Sequence, residues 1–209
     1  GVDIKLHRPA ETPEFAMTYD EPWENLRSFG YNSVVDNGTH ILLYYFVFTA
    51  FPWPNGPHGK NHDELNKEQW YTCLATSSDG GKTFVKPRLG VIEINGTTDK
   101  NCVWPPGGWN ATHHETGTVF IDTKPGVPPS QRYKMIATNP GSASSPDGIH
   151  WSPDGGLWAG SDTQQVAWWD KQLRQYVGYR RQWWETKQAK LWRANNHFCM
   201  PTGESNGVA

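Results

Sequence analysis

The chain lacks any apolar run long enough to cross a bilayer. The longest, Ile41 to Ala50, is interrupted by Thr49 and falls far short of the ~18–20 residues a spanning helix needs. It also lacks an excess of one charge sign. Nineteen Lys and Arg stand against 21 Asp and Glu, a formal net charge of −2 with no basic patch in the sequence, which argues against nucleic acid as a partner. Cysteine is scarce: Cys73, Cys102 and Cys199 show no metal-ligand spacing. A Cys73–Cys102 disulfide and three unpaired buried thiols are open alternatives. Helical periodicity is nearly absent, with only Trp184 to Ala194 reading as a helix. No initial Met or signal peptide precedes Gly1, so the sequence reads as a mature form or a fragment.

What is present is turn-rich and aromatic: 12 Trp, 21 Gly and 16 Pro in 209 residues, a length that suits one domain, 1–209. Tyr31 to Asp36 and His40 to Thr49 read as strands around Asp36-Asn37-Gly38, because Asn-Gly between β-prone runs is a strong hairpin signal. Further strands are expected at Trp70 to Ser77, Lys82 to Pro87, Gly117 to Asp122, Tyr133 to Thr138, Gln164 to Trp169 and Gln175 to Arg180. Phe51 to Asn66 reads as a long polar loop. Residues 182–209 read as an irregular tail. Short strands with frequent turn signals indicate an all-β sandwich, barrel or propeller.

A repeat favours the propeller. Ser77-Ser78-Asp79-Gly80-Gly81-Lys82-Thr83-Phe84 fits Ser-x-Asp-x-Gly-x-Thr-aromatic, and Ser145-Pro146-Asp147-Gly148-Ile149-His150-Trp151 fits its shorter form. Each follows a strand, Tyr71 to Ala75 and Tyr133 to Ala137. Asp can accept hydrogen bonds from N–H groups of its own turn, Gly allows positive φ, and the aromatic ring plugs the turn onto a sheet. Asp79 and Asp147 are therefore assigned structural roles. Ser152 to Trp158 matches as well, but it abuts the second box and is read as loop.

On these residues, with Tyr19 to Glu24, Leu43-Tyr44-Tyr45, Gly117 to Asp122, Arg132 to Lys134, Ser161-Asp162-Thr163 and Tyr176 to Arg180, the chain resembles the five-bladed β-propeller proteins similar to glycoside hydrolase families 32 and 43. Within them it is similar to the group with a family 32 N-terminal-like domain. The likeness spans 15–181. Asp boxes also occur in six-bladed sialidases, whose Arg-Ile-Pro signature is missing here. The resemblance implies a secreted protein that binds or hydrolyses polysaccharide or oligosaccharide, without metal or cofactor. A complete five-bladed propeller needs about 300 residues, and the strands here account for about three blades. Open edges of such an incomplete ring would favour homo- or hetero-oligomers.

Glycoside hydrolysis uses two carboxyl groups flanking the scissile bond. The resemblance implies acids from successive blades converging on a central funnel. The Trp-x-Asn-Asp-Pro-Asn-Gly, Arg-Asp-Pro and Glu-Cys marks of well-characterised family 32 members are absent. By position the candidates are Asp20, Glu21 and Glu24, then Glu115 and Asp122, then Asp162. Glu24 follows Trp23, and a carboxylate against an indole is expected to have a raised pKa. The competing reading is a solvated acidic turn. In His113-His114-Glu115 adjacent side chains of a strand would face opposite ways, which disfavours a metal site. Flat apolar rings suit sugar faces, so Trp104, Trp109 and Trp169 are candidate substrate contacts, with packing in the core as the alternative for each; Arg180 is a candidate for an acidic ligand, with a salt bridge to a neighbouring blade as its alternative. Sequons at Asn37, Asn95 and Asn110 lean toward a secreted glycoprotein. A non-catalytic glycan-binding or structural subunit of an extracellular assembly is the competing function.

Overall fold

The computed structural model describes residues 5–7, 14–24, 32–49, 69–94, 96–104, 118–136, 142–154, 165–184 and 192–200; for 48–49, 69–70, 180–184 and 192–200 only the backbone is described. These residues are all-β and form three antiparallel sheets. The first contains β1 (Ser33–Asp36), β2 (Ile41–Thr49), β3 (Gln69–Ser77) and β4 (Cys102–Trp104). The second contains β5 (Thr118–Ile121), β6 (Tyr133–Ile136), β7 (Ser142–Ser145) and β8 (Ser152–Pro153), and the third β9 (Val166–Asp170), β10 (Gln175–Trp184) and β11 (Trp192–Met200). Each is a meander in chain order. Among the described residues the helical structure is one short 3-10 turn, Pro129–Gln131, and no helix is long and apolar enough to cross a membrane.

The expected hairpin forms where Asn37-Gly38 sits. Asn37 Oδ1 accepts from the N–H groups of Thr39 and His40 at 2.9 and 2.8 Å, and Gly38 takes φ 89°, a left-handed turn that sets Asp36 opposite Ile41. Lys82 to Pro87 contributes a single bridge, Val85 to Thr76, rather than a strand. The tail requires correction. β10 continues to Trp184, and 192–200, expected to be helical as far as Ala194 and otherwise irregular, pairs with it as a strand from Trp192–Trp184 to Met200–Tyr176. Asn195 and Asn196 have low strand propensity, so a long partner ladder decides their conformation rather than local preference.

The first strands of the three sheets lie side by side, β1 against β5 and β5 against β9. Their starting ends meet: Val119 N–H donates to Ser33 Oγ at 3.1 Å, and the Thr118 hydroxyl donates to the Gln165 carbonyl. Their finishing ends meet too. Arg132, paired through its carbonyl with Asp122 N–H, reaches the Asn37 carbonyl, and Lys124 Nζ lies over the Trp169 ring. The three strands therefore run in the same direction.

Alternation along each strand fills both faces. Val35, Leu42, Tyr44, Leu74, Val103 and Trp104 pack against Val119, Tyr133, Met135 and Trp151 between the first two sheets. Phe120 and Ile136 pack against Ala167, Trp169 and Tyr176 between the second and third. The far face of the first sheet, with Tyr45, Tyr71 and the Cys73–Cys102 disulfide, is covered by Trp23, Met17, Ile92 and Ile94. The cysteine alternatives resolve because Cys73 and Cys102 are directly opposed on β3 and β4.

Candidate functional site

The acids of the first segment lie in a hydrogen-bonded cluster. Glu24 has no exposed surface, and both its oxygens are engaged: Oε1 accepts from the Tyr45 hydroxyl at 2.7 Å, while Oε2 accepts from Glu21 N–H at 2.8 Å and from Lys86 Nζ at 2.7 Å. Asn101 completes the cluster by donating to Tyr45 Oη and to the Leu74 carbonyl, and it accepts from Trp23 Nε1. Burial, with the Glu24 hydrogen bond assisting, pushes the Tyr45 phenol above its ordinary range. Asp20 is exposed and shares Lys86, whose hydrogen bond holds its carboxyl below the usual range. Asp20 and Glu24 are thus brought together on one ammonium group, which fastens 14–24 to the first sheet. Asp122 sits at the finishing end of β5, buried, accepting from the Tyr176 hydroxyl at 2.6 Å. Burial first, and Asp122 second, raise the Tyr176 phenol.

The two Ser-x-Asp turns are wired alike and lie at matching places, each at the end of the third strand of its sheet. Ser77 Oγ accepts from Asp79 and Gly81 N–H, and Asp79 Oδ1 accepts from Lys82 and Thr83 N–H, both at 3.0 Å. Ser145 Oγ accepts from Asp147 and Gly148 N–H, and Asp147 Oδ1 accepts from Ile149 and His150 N–H, both at 2.8 Å. Hydrogen bonds from Ser77 and Thr83 hold Asp79 well below the usual carboxylate range. For Asp147 burial opposes ionisation, but the bonds from His150, Ile149 and Ser145 prevail and bring it down to about 2. Neither carboxylate is free for chemistry.

The starting ends of β1, β5 and β9 are where polar groups converge. Ser33, Thr118 and Gln165 meet there, and Gln165 is 2% exposed with neither Oε1 nor Nε2 partnered among the described residues. Leaving a buried amide unmade costs about 1–3 kcal/mol, so such a group calls for an explanation. Glu115 stands three residues before β5 and Asp162 four before β9 in the sequence, and both lie outside the described residues, as do Trp109, Asn95 and Asn110. Gln165 was not singled out by sequence reasoning. Its signal is the shared step from polar to apolar residues at Asn32-Ser33, Gly117-Thr118 and Gln164-Gln165.

The tryptophans divide between core and surface. Trp104 is buried between the first two sheets, and Trp169 is 8% exposed, packed edge-on against Tyr176 at 5.1 Å between ring centroids. Its neighbour Trp168, on the opposite face of β9, is 39% exposed and lies 6.0 Å from the exposed Tyr179 ring. Strand alternation makes one of two adjacent Trp a core residue, and it is the other one that faces solvent. Arg180 is placed on β10 by its backbone alone. Asn37 is in the first hairpin turn with Thr39 exposed beside it. Among the described residues no group of three or more His, Cys, Asp or Glu could hold a metal.

No family model matches the chain, and no curated protein matches it. Among solved structures, a glycosyl hydrolase from Bacteroides ovatus is similar at 13% identity, over 88% of this chain and 70% of that one, with a TM-score of 0.34. A likeness of that extent decides neither fold family nor activity.

Proposed function

We propose that the chain is a secreted, glycoside hydrolase-like protein of β-propeller type that takes a polysaccharide or oligosaccharide at the starting ends of β1, β5 and β9. The observation that carries this is the buried Gln165 amide beside Thr118, without a partner among the described residues, a donor and acceptor pair suited to sugar hydroxyls. Three meanders with co-directional first strands, and two alike turns closing the third strand of the first two sheets, support the propeller reading. A disulfide favours an oxidising compartment. In this reading Glu115 and Asp162 supply the carboxylate pair, one protonating the leaving oxygen and the other acting as nucleophile or base. Glu24 and Asp20 anchor the first segment.

Fructan, arabinan and galactan oligosaccharides serve as test ligands for binding and hydrolysis. Turnover that is lost in Glu115→Gln and Asp162→Asn, with binding kept, supports the hydrolase reading, and Gln165→Ala weakens binding about tenfold. Absence of binding to any neutral glycan refutes both. A second reading, glycan binding without turnover, is favoured by the exposed Trp168 and Tyr179 rings, a flat aromatic surface away from any acid pair among the described residues. Binding that Trp168→Ala abolishes, with no turnover by the unaltered chain, selects it.

A further inference from the structure

At the finishing ends of β5 and β9, between the second and third sheets, lies a cleft of about 550 Å³ lined by Thr123, Lys124, Pro125, Trp169, Lys171 and Arg174. That volume falls inside the ~300–1,000 Å³ of small-molecule sites. Three of its six described lining residues are cations, in a chain whose net charge is −2. None of the three meets a carboxylate within ion-pair distance among the described residues, although Lys86, Arg88 and Lys134 each do.

The acids beside the cleft accept from donors other than the three cationic side chains. Asp122 accepts from Lys124 N–H with one oxygen and from Tyr176 with the other, and Asp170 Oδ1 accepts from Gln172 and Leu173 N–H, both at 2.8 Å. Lys124 Nζ is held over the Trp169 and Tyr176 rings at 5.7 and 5.5 Å from their centroids, which directs the ammonium without neutralising it. Arg174 takes φ 55°, the one positive φ of a non-glycine residue among those described. Such a backbone is strained and persists where its surroundings fix it.

We propose that this cleft is a second ligand site, one that binds the anionic substituent of a sugar, a sulfate ester or a carboxylate, through Lys124, Lys171 and Arg174, with the Trp169 edge against the ring. The shared chemistry is a planar or tetrahedral oxyanion on a compact, partly apolar carrier. The chain's slight negative charge and the limited size of the cleft do not suit a nucleic-acid backbone. The site stands at the opposite ends of the first strands from Gln165, so its occupation is independent of the neutral-sugar site.

Calorimetric titration of the full chain tests this with four probes: a sulfated galactan oligosaccharide, its desulfated counterpart, an oligogalacturonate and inorganic sulfate. The expected result is that the sulfated probe or the uronate binds at least tenfold more tightly than the desulfated sugar, less so at higher salt. Lys171→Glu/Arg174→Glu, two exposed turn positions, should remove that preference while leaving the thermal midpoint and any neutral-glycan binding intact. Lys124→Met gives the same loss by a variant that adds no charge. Equal binding of the sulfated and desulfated probes, unaltered binding in the charge-reversed variant, or capture of inorganic sulfate alone would overturn the proposal. Gln165→Ala should not change anion binding, so failure here is distinct from failure of the neutral-glycan site.

Discussion

Replacing Lys86 with Met isolates the energetics of the anchoring cluster. Lys86 and Glu24 are 8% and 0% exposed in their side chains, and their 2.7 Å contact is the only ion pair Glu24 makes among the described residues. Removing one partner of a buried pair costs about 3–5 kcal/mol, because the remaining charge stays desolvated and unpaired. For a chain of this size that is a fall in thermal midpoint of roughly 6–20 °C. Glu24→Gln should cost less, since Lys86 keeps the Asp20 carboxylate at 2.8 Å and the Thr18 carbonyl at 2.6 Å, whereas Glu24 has no second cation. The double variant should cost less than the two single losses added together, as expected for residues in one network. Urea unfolding, followed by the fluorescence of the many Trp, reads all three, and an unchanged slope would locate the loss in stability rather than in compactness. A loss below ~1 kcal/mol for Lys86→Met would mean that water reaches the pair and that the anchoring argument fails. Loss of turnover in Glu24→Gln with stability unaltered would return Glu24 to the catalytic candidates.

Other perturbations separate the remaining contributions. A Cβ built on Gly148 overlaps Tyr44 Oη, the hydroxyl that donates to the Gly148 carbonyl, and φ there is 79°. Gly148→Ala should therefore cost about 1–3 kcal/mol from crowding alone, partly restored by Tyr44→Phe, as denaturant midpoints would reveal. Asp79 and Asp147 have depressed folded-state values. Their contribution is present above the unfolded Asp value near ~3.9 and is lost as pH falls toward about 2 for Asp147. Unfolding free energy should decline over that window, and the decline should be shallower in Asp147→Asn. Reducing the Cys73–Cys102 bond, which spans 29 residues, should lower stability by ~3–4 kcal/mol on the chain-entropy account, measured by unfolding with and without a phosphine reductant. An indifferent midpoint would show that the β3–β4 ladder holds without it.

Where local chemistry dictates geometry, the sequence was readable. Asn37-Gly38 sets its hairpin through its own side chain, and the Ser-x-Asp turns close on themselves, so neither needs tertiary information. The expectation fails where partners decide. β4, β7 and β8 are three, four and two residues long, too short to show period-2 alternation, and their pairing comes from β3, β6 and β7 respectively. Trp168 and Trp169 are indistinguishable as an adjacent pair until the sheet assigns their faces. Glu24 looked like an acid beside an indole. Besides the nearby Glu21 N–H, its partners Tyr45, Lys86 and, through Tyr45, Asn101 are 21 to 77 residues away and invisible to spacing. The same holds for the cationic cleft, whose Lys124 and Lys171 meet only because β5 and β9 finish side by side.

The two alike turns show how one local device serves two purposes. In the first, an added Cβ on Gly81 meets Phe84 only at 4.0 Å, and Phe84 N–H donates to the Ala16 carbonyl, so the turn holds the chain's own leading segment. In the second, Gly148 is backed by Tyr44 and Tyr133, and Trp151 lies edge-on to Tyr44 at 6.2 Å, so the turn docks one sheet on another. Similar internal wiring therefore leads to unequal sensitivity. Gly81→Ala should carry only the strain of its positive φ, while Gly148→Ala also disturbs the contact between the first two sheets. Since Ser33 and Thr118 meet at the start of those sheets, loosening that contact should weaken glycan binding as well as stability. Gly81→Ala should leave binding unchanged. Equal losses of binding in the two variants would break the link drawn between sheet docking and the site at the strand starts.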